Sequence, residues 1–208
     1  MKYLSSLNKW SCSIPSYSLI CKRAAFIKDA LPKLSKCTSA TILIDASGGK
    51  IIGEGEWKVK IHGKQKRRKW VKIHIAVDAQ TQEIVAEATT GSHVIDSAMT
   101  DILLNQVQGS IKTTIADGAY DHAPARSAIQ KRGSRALVPP PKNAVYKGAA
   151  SDRDEAISII EGLGGGKEAR SLWGRLTGYS IRALVETAFS RMKRLYGERL
   201  FSKVFEKQ

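Results

Sequence analysis

Two short apolar runs in this chain end in the same way, and that shared ending limits the folds open to it. Thr41-Ile-Leu-Ile-Asp45 and Lys112-Thr-Thr-Ile-Ala-Asp117 are rich in β-branched residues and close on an aspartate. Each is followed by a glycine turn signal, Ser47-Gly48-Gly49 in the first case and Gly118 in the second. β-Branched side chains are stiff at χ1 and pack well on a pleated surface, so each run reads as a buried strand with a carboxylate at its carboxyl end. If the two strands are neighbours, the two carboxylates emerge side by side at one edge of a sheet, where ligands collect in α/β folds.

The residues around these runs supply the rest of such a sheet. Trp57, Val59 and Ile61 alternate with Lys58, Lys60 and His62, and after Gly63 Val71, Ile73, Ile75 and Val77 alternate with Lys72, His74 and Ala76. That period of two predicts a pair of half-buried antiparallel strands, with a third over Glu83 to Thr89. Met99, Ile102, Leu103 and Val107 fall at helical spacing in Asp96 to Val107, with Asp96 as N-cap, and a second helix over Ala123 to Lys131 stops near Gly133. Arg135 to Val138 adds a short strand. Residues 142–178, rich in Gly and Lys, predict a loop-rich insertion with one helix at Asp154 to Gly162, and a long helix follows from Ser180 to Tyr196, ended by Gly197. The order gives an α/β fold with a mixed sheet, flanking helices and an insertion before the last helix. Residues 1–40 show no clear period beyond a helix at Lys22 to Leu34 broken by Pro32, and form a linker or remnant ahead of a domain at 41–208.

Charge narrows the partners. In 208 residues, 34 Lys+Arg against 19 Asp+Glu give a net charge of +15, which favours a polyanion. Lys58, Lys60, Lys64, Lys66, Arg67, Arg68, Lys69 and Lys72 follow one another between Trp57 and Val77 without an acid. Such a stripe displaces counterions from nucleic-acid phosphates, although a merely solubilising surface has the same composition. No apolar run is long enough to span a bilayer, and Met1 to Trp10 lacks the apolar core of a secretion signal, so a cytoplasmic location is expected. Cys12, Cys21 and Cys37 are spaced too irregularly for a zinc site and read as free thiols.

Two adjacent aspartates need a cation between them, and hard oxygen ligands suit Mg2+ or Mn2+. A pair of such ions about 3.5–4 Å apart is a recurring device for displacement at phosphorus. An aspartate at a strand end also serves as a plain turn residue or helix cap. The last helix offers a third acid. At roughly 100° per residue, Tyr179, Arg182, Glu186 and Lys193 share an arc of about 60°, with Ile181, Leu184, Val185, Ala188, Met192 and Leu195 on the opposite, packing side. Arg182 and Glu186, four apart, also satisfy a simple helical ion pair.

The run Gly178-Tyr-Ser-Ile-Arg182-Ala-Leu-Val-Glu186-Thr-Ala-Phe-Ser-Arg-Met-Lys193 resembles the Tyr, Arg, Glu, Lys motif of the DDE transposases of bacterial insertion sequences, with the same gaps. Asp45-Ala-Ser-Gly48 is similar to that family's first-acid motif. Gly53 to Lys58, Arg67 to Asp78 and Ala116 to Asp121 resemble stretches in the insertion sequence five group. The resemblance implies a ribonuclease H-like fold, Asp45, Asp117 and Glu186 as catalytic acids holding two Mg2+ or Mn2+ ions, and Tyr179, Arg182 and Lys193 on the DNA backbone. It implies cleavage of a DNA strand to a 3′ hydroxyl that then attacks a target phosphate, by a homo-oligomer working on double-stranded DNA in the nucleoid. Asp78 and Asp121 also match family positions but read as turn residues. Relatives carry a further N-terminal region and run on slightly at the C-terminus, so a truncated copy is expected. A shortened, non-catalytic DNA-binding regulator and a nuclease on the same fold are the alternatives.

Overall fold

The computed structural model describes residues 16–24, 40–51, 70–197 and 199–200. The chain divides into two compact units, Met1–Lys33 and, apart from the last residues, Leu34–Glu206. Of the first, the described part is helix α1, Tyr17–Ala24, with the Leu19 amide donating to Ser16 Oγ. This helix overlaps the one expected at Lys22 to Leu34 only over Lys22 to Ala24, and the rest of that stretch lies outside the described residues. So do Cys12, Cys37, the strand expected from Trp57 to Ile61, and the basic residues Lys58 to Lys69.

The second unit is built on one sheet. Its strands are β1 (Thr41–Ile51), β2 (Trp70–Asp78), β3 (Ile84–Gly91), β4 (Thr113–Ala116), β5 (Arg135–Leu137) and the two-residue β6 (Arg199–Leu200). They lie in the order β3-β2-β1-β4-β5, and β6 also pairs with β1. β1 to β3 form the antiparallel meander, whereas β4 and β6 run parallel to β1 and β5 runs parallel to β4. This is the mixed α/β sheet that the sequence implies.

Helices cover both faces, as the alternation of each strand dictates. Ile42 and Ile44 point to one face, where they meet Leu103 and Leu104 of α2 (Thr100–Gln106) and Ile129 of α3 (Ala123–Lys131). Leu43, Ile75 and Ile115 point to the other. There they pack against Ala156 and Ile160 of α4 (Asp152–Gly162), Ala169 and Trp173 of α5 (Gly166–Leu176), and Val185, Ala188 and Phe189 of α6 (Ala183–Tyr196). Complete burial of branched side chains contributes about 1.5–3 kcal/mol each, so both faces hold the sheet.

Four expectations need correction. The turn expected at Ser47-Gly48-Gly49 does not form, and β1 continues through it to Ile51 in register with β2, Gly48 opposite Lys72. A Cβ on Gly48 would stand 3.4 Å from Cε3 of Trp70, so the glycine lets the indole lie over the strand. Asp96 is not an N-cap: it opens the 3-10 turn Asp96–Met99 without a capping bond and instead takes a bond from Lys72 Nζ at 2.9 Å. The stretch 142–178 is not mainly loop, because α5 was missed behind Gly164, Gly165 and Gly166, and both α4 and α5 bury side chains on the sheet. Finally, the last helix does not begin as an α-helix. Tyr179–Arg182 is a 3-10 turn, and the regular α-helix starts at Ala183. The tighter turn rotates the early residues, leaving Ile181 39% exposed, and Leu195 near the other end is 76% exposed, while Phe189 packs in their place.

Candidate active site

The pairing of β1 with β4 stops at Ile44 opposite Ala116, so Asp45 and Asp117 are the next residues on adjacent parallel strands. The juxtaposition of these two acids thus follows from register alone. Beyond this point β4 turns away into the 3-10 turn Gly118–Tyr120, and β6 joins β1 only at Lys50. Between the two, the edge of β1 from Asp45 to Gly49 opens toward the start of α6. It is a gap of the kind in which α/β sheets hold ligands.

Asp45 Oδ1 accepts from the Ala46 amide at 2.8 Å, and Oδ2 accepts from Arg182 Nη1 at 3.0 Å. The same guanidinium donates through Nη2 to Glu186 Oε1 at 2.6 Å. Arg182 therefore bridges an acid of β1 to an acid of α6. The Asp45 and Arg182 side chains are 17% and 21% exposed and that of Glu186 is 60% exposed, so the bridge runs from a sheltered end to an open one. Asp117 Oδ1 caps its own turn by accepting from the Ala119 amide at 2.9 Å.

Electrostatics ties the group together. Burial raises the Asp45 carboxyl above its usual value against the pull of the Ala46 amide and Arg182, and the charges of Asp117 and Glu186 raise it further. Burial also raises the Tyr179 phenol, which feels Arg182, Asp117, Asp45 and Glu186. Burial opposes the charge on Arg182, but Tyr179, Asp45, Glu186 and Asp117 outweigh it and hold the guanidinium more firmly charged than usual. Asp45, Asp117, Tyr179, Arg182 and Glu186 thus form one cluster. Lys193, half-buried roughly two turns beyond Glu186, is not among its principal charges.

Tyr179 is held by residues that the sequence pattern did not single out. Its ring lies 5.5 Å from that of Trp173, tilted by 37°, and a Cβ on Gly174 would reach Tyr179 Cδ1 at 3.6 Å. α5 is therefore the seat of Tyr179. The available signal was Ala169, Leu172, Trp173 and Leu176 at helical spacing. A second unmarked group is Asp121, 3% exposed, which pairs with Arg126 of α3 and, at 3.1 Å, with Arg153 of α4. It clips the helices of the two sheet faces together just past Asp117, a larger task than the turn role expected of it. Asp78, fully buried, does act in a turn, accepting from the amides of Gln80 and Thr81.

The three acids of the cluster offer carboxylate oxygens, the donor chemistry of Mg2+ and Mn2+. Among the described residues no three acidic, histidine or cysteine side chains stand together as a ready-made ion site, and Arg182 lies between two of the acids instead. Room for a divalent cation between Asp45 and Glu186 would require that guanidinium to move aside.

A mixed sheet with helices on both faces, one acid within its central strand β1 and another just past the end of the neighbouring parallel strand β4, is consistent with the ribonuclease H-like class of nucleic-acid enzymes. The family model described as Transposase DDE domain matches residues 37–208, a span that includes Asp45, Asp117 and Glu186, and the chain belongs to that family. Membership carries a transposase-type function with DNA as partner, and the family generally uses divalent metals. No described helix is long and apolar enough to cross a membrane.

Proposed function

We propose that this chain cuts a DNA strand and joins the resulting 3′ hydroxyl to a target phosphate, as a transposase of the insertion sequence five group, with Asp45, Asp117 and Glu186 holding two Mg2+ or Mn2+ ions. The observation that carries this reading is the convergence of acids from β1, β4 and α6 at the one open stretch of the β1 edge. Bound divalent ions would stabilise charge on a phosphate under attack. The chain's own part is geometric. Asp45 and Asp117 are fixed by strand register and by their amide bonds to Ala46 and Ala119, so two of the acids are pre-positioned. Glu186, on the exposed end of the cluster, is held by Arg182 and can follow the substrate once that bond opens. In this reading Tyr179 and Arg182 orient a backbone phosphate, a role supported by the seating of Tyr179 on Trp173 beside the acids.

Lys193 and the basic run containing Lys64, Lys66, Arg67, Arg68 and Lys69 extend the contact with double-stranded DNA in this reading, and the net charge supports it. Residues 41–208 form the catalytic domain, with 1–40 ahead of it, and the protein works as a homo-oligomer on DNA at the nucleoid. The test is metal-dependent nicking of a plasmid carrying the sequences that flank the gene. Asp117→Asn and Glu186→Gln are each expected to lower the rate by at least about a hundredfold with an unchanged melting temperature. Undiminished nicking by both variants would sink the assignment.

A further inference from the structure

Arg182 stands at the one point where the proposed metal ligands and the proposed DNA contacts meet. It belongs to the 3-10 turn between Gly178, in a left-handed conformation at φ 76°, and the first regular turn of α6. From there it reaches 137 residues back along the chain to Asp45 and one turn forward to Glu186. One positive group thus neutralises two acids that a divalent cation also requires. A cation entering between Asp45 and Glu186 must displace the guanidinium, and a guanidinium 79% shielded from water is costly to leave without an anion. A DNA phosphate is such an anion, and it matches the planar fork of Arg better than a single carboxylate oxygen does.

Resting on the functional reading above, we propose that Arg182 is an internal counter-ion which closes the acid cluster in the DNA-free protein and passes to a backbone phosphate when DNA binds, so that DNA and divalent cations bind cooperatively. The coupling works in both directions by linkage: the factor by which DNA tightens cation binding equals the factor by which the cation tightens DNA binding. A protein built this way keeps its acids from collecting free ions until a strand is in place. Arg182 is in this sense a positioning residue, acting through Asp45 and Glu186.

The experiment is titration of the full chain with Mn2+, alone and with a short double-stranded DNA, following bound Mn2+ by calorimetry and fold integrity by thermal unfolding. The wild-type protein is expected to bind Mn2+ about tenfold more tightly with DNA than without. Arg182→Gln is expected to bind Mn2+ about fivefold or more tightly than wild type in the absence of DNA, and to gain less than about twofold when DNA is added. Arg182→Lys, which keeps the charge but loses the fork, should fall between them, and serves if the glutamine variant does not fold. Arg191→Gln, an exposed arginine that bonds Gln82, should behave as wild type. If Arg182→Gln binds Mn2+ no better than wild type without DNA, while Asp117→Asn abolishes binding, the counter-ion role is wrong and the metal reading stands. If Asp117→Asn leaves Mn2+ binding unchanged, the metal reading itself fails and takes the counter-ion with it.

Discussion

His74 is a fully buried imidazole on β2 whose Nε2 is 2.7 Å from Thr90 Oγ1 and whose Nδ1 has no hydrogen-bond partner. Burial lowers its pKa from the usual 6.5, with Asp96, 4.0 Å away, acting in the opposite direction and Lys72 reinforcing the fall. The unfolded chain therefore takes up a proton before the folded one does. Stability is complete above about 6.5 and declines as the pH falls from there through the lowered folded value. Urea unfolding between about pH 7 and pH 5 should show this decline, and His74→Gln should flatten it; an equal slope in both proteins would assign it elsewhere. Single residues were legible in the sequence where local order alone placed them, as with Asp45 and Asp117, each next to a β-branched run. Asp121 was not, because its partner Arg153 is 32 residues away and no local pattern announces a buried contact at that distance.

At the scale of elements, α5 shows how an unremarked helix can govern a site. Trp173 is 2% exposed, fills the space between α5 and the sheet, and carries the ring against which Tyr179 rests. Trp173→Ala should cost about 3–5 kcal/mol in chemical unfolding, the range for emptying an aromatic site. It should also weaken DNA binding through Tyr179, whereas Trp173→Phe should keep most of both. A period of two survives in short runs, so β2 was expected within a residue of each end, whereas β1 runs six residues past its expected close at Asp45 because Gly48 and Gly49 stay in the ladder with β2, and β6 carries no period at all. α5 escaped because three consecutive glycines, each at positive φ, mask its start. The face of the last helix was drawn on a uniform turn angle, whereas its first residues are wound in a 3-10 turn. Tyr179, Arg182 and Glu186 still converge, since the tighter turn and the side-chain lengths bring Arg182 between the acids.

At the scale of the whole molecule, the net charge of +15 makes salt the simplest probe of its partner. If several lysines and arginines neutralise phosphates, the logarithm of the DNA association constant falls linearly with the logarithm of salt concentration, by roughly 0.9 per phosphate neutralised. A flat dependence would leave the charge as a solubilising surface.

The pairing of β6 with β1 also sets a schedule. α6 is tied to β1 at its start through Arg182 and Asp45, and the chain just past its end returns to β1 as Arg199 and Leu200 pair with Lys50 and Ile51. On a ribosome, Asp45 and Asp117 can meet once β4 has emerged. Glu186 and its guanidinium bridge join them only after α6 has followed. The order of synthesis therefore brings the two strand acids together first and adds the helix acid last, so the cluster is assembled from its sheltered end outward.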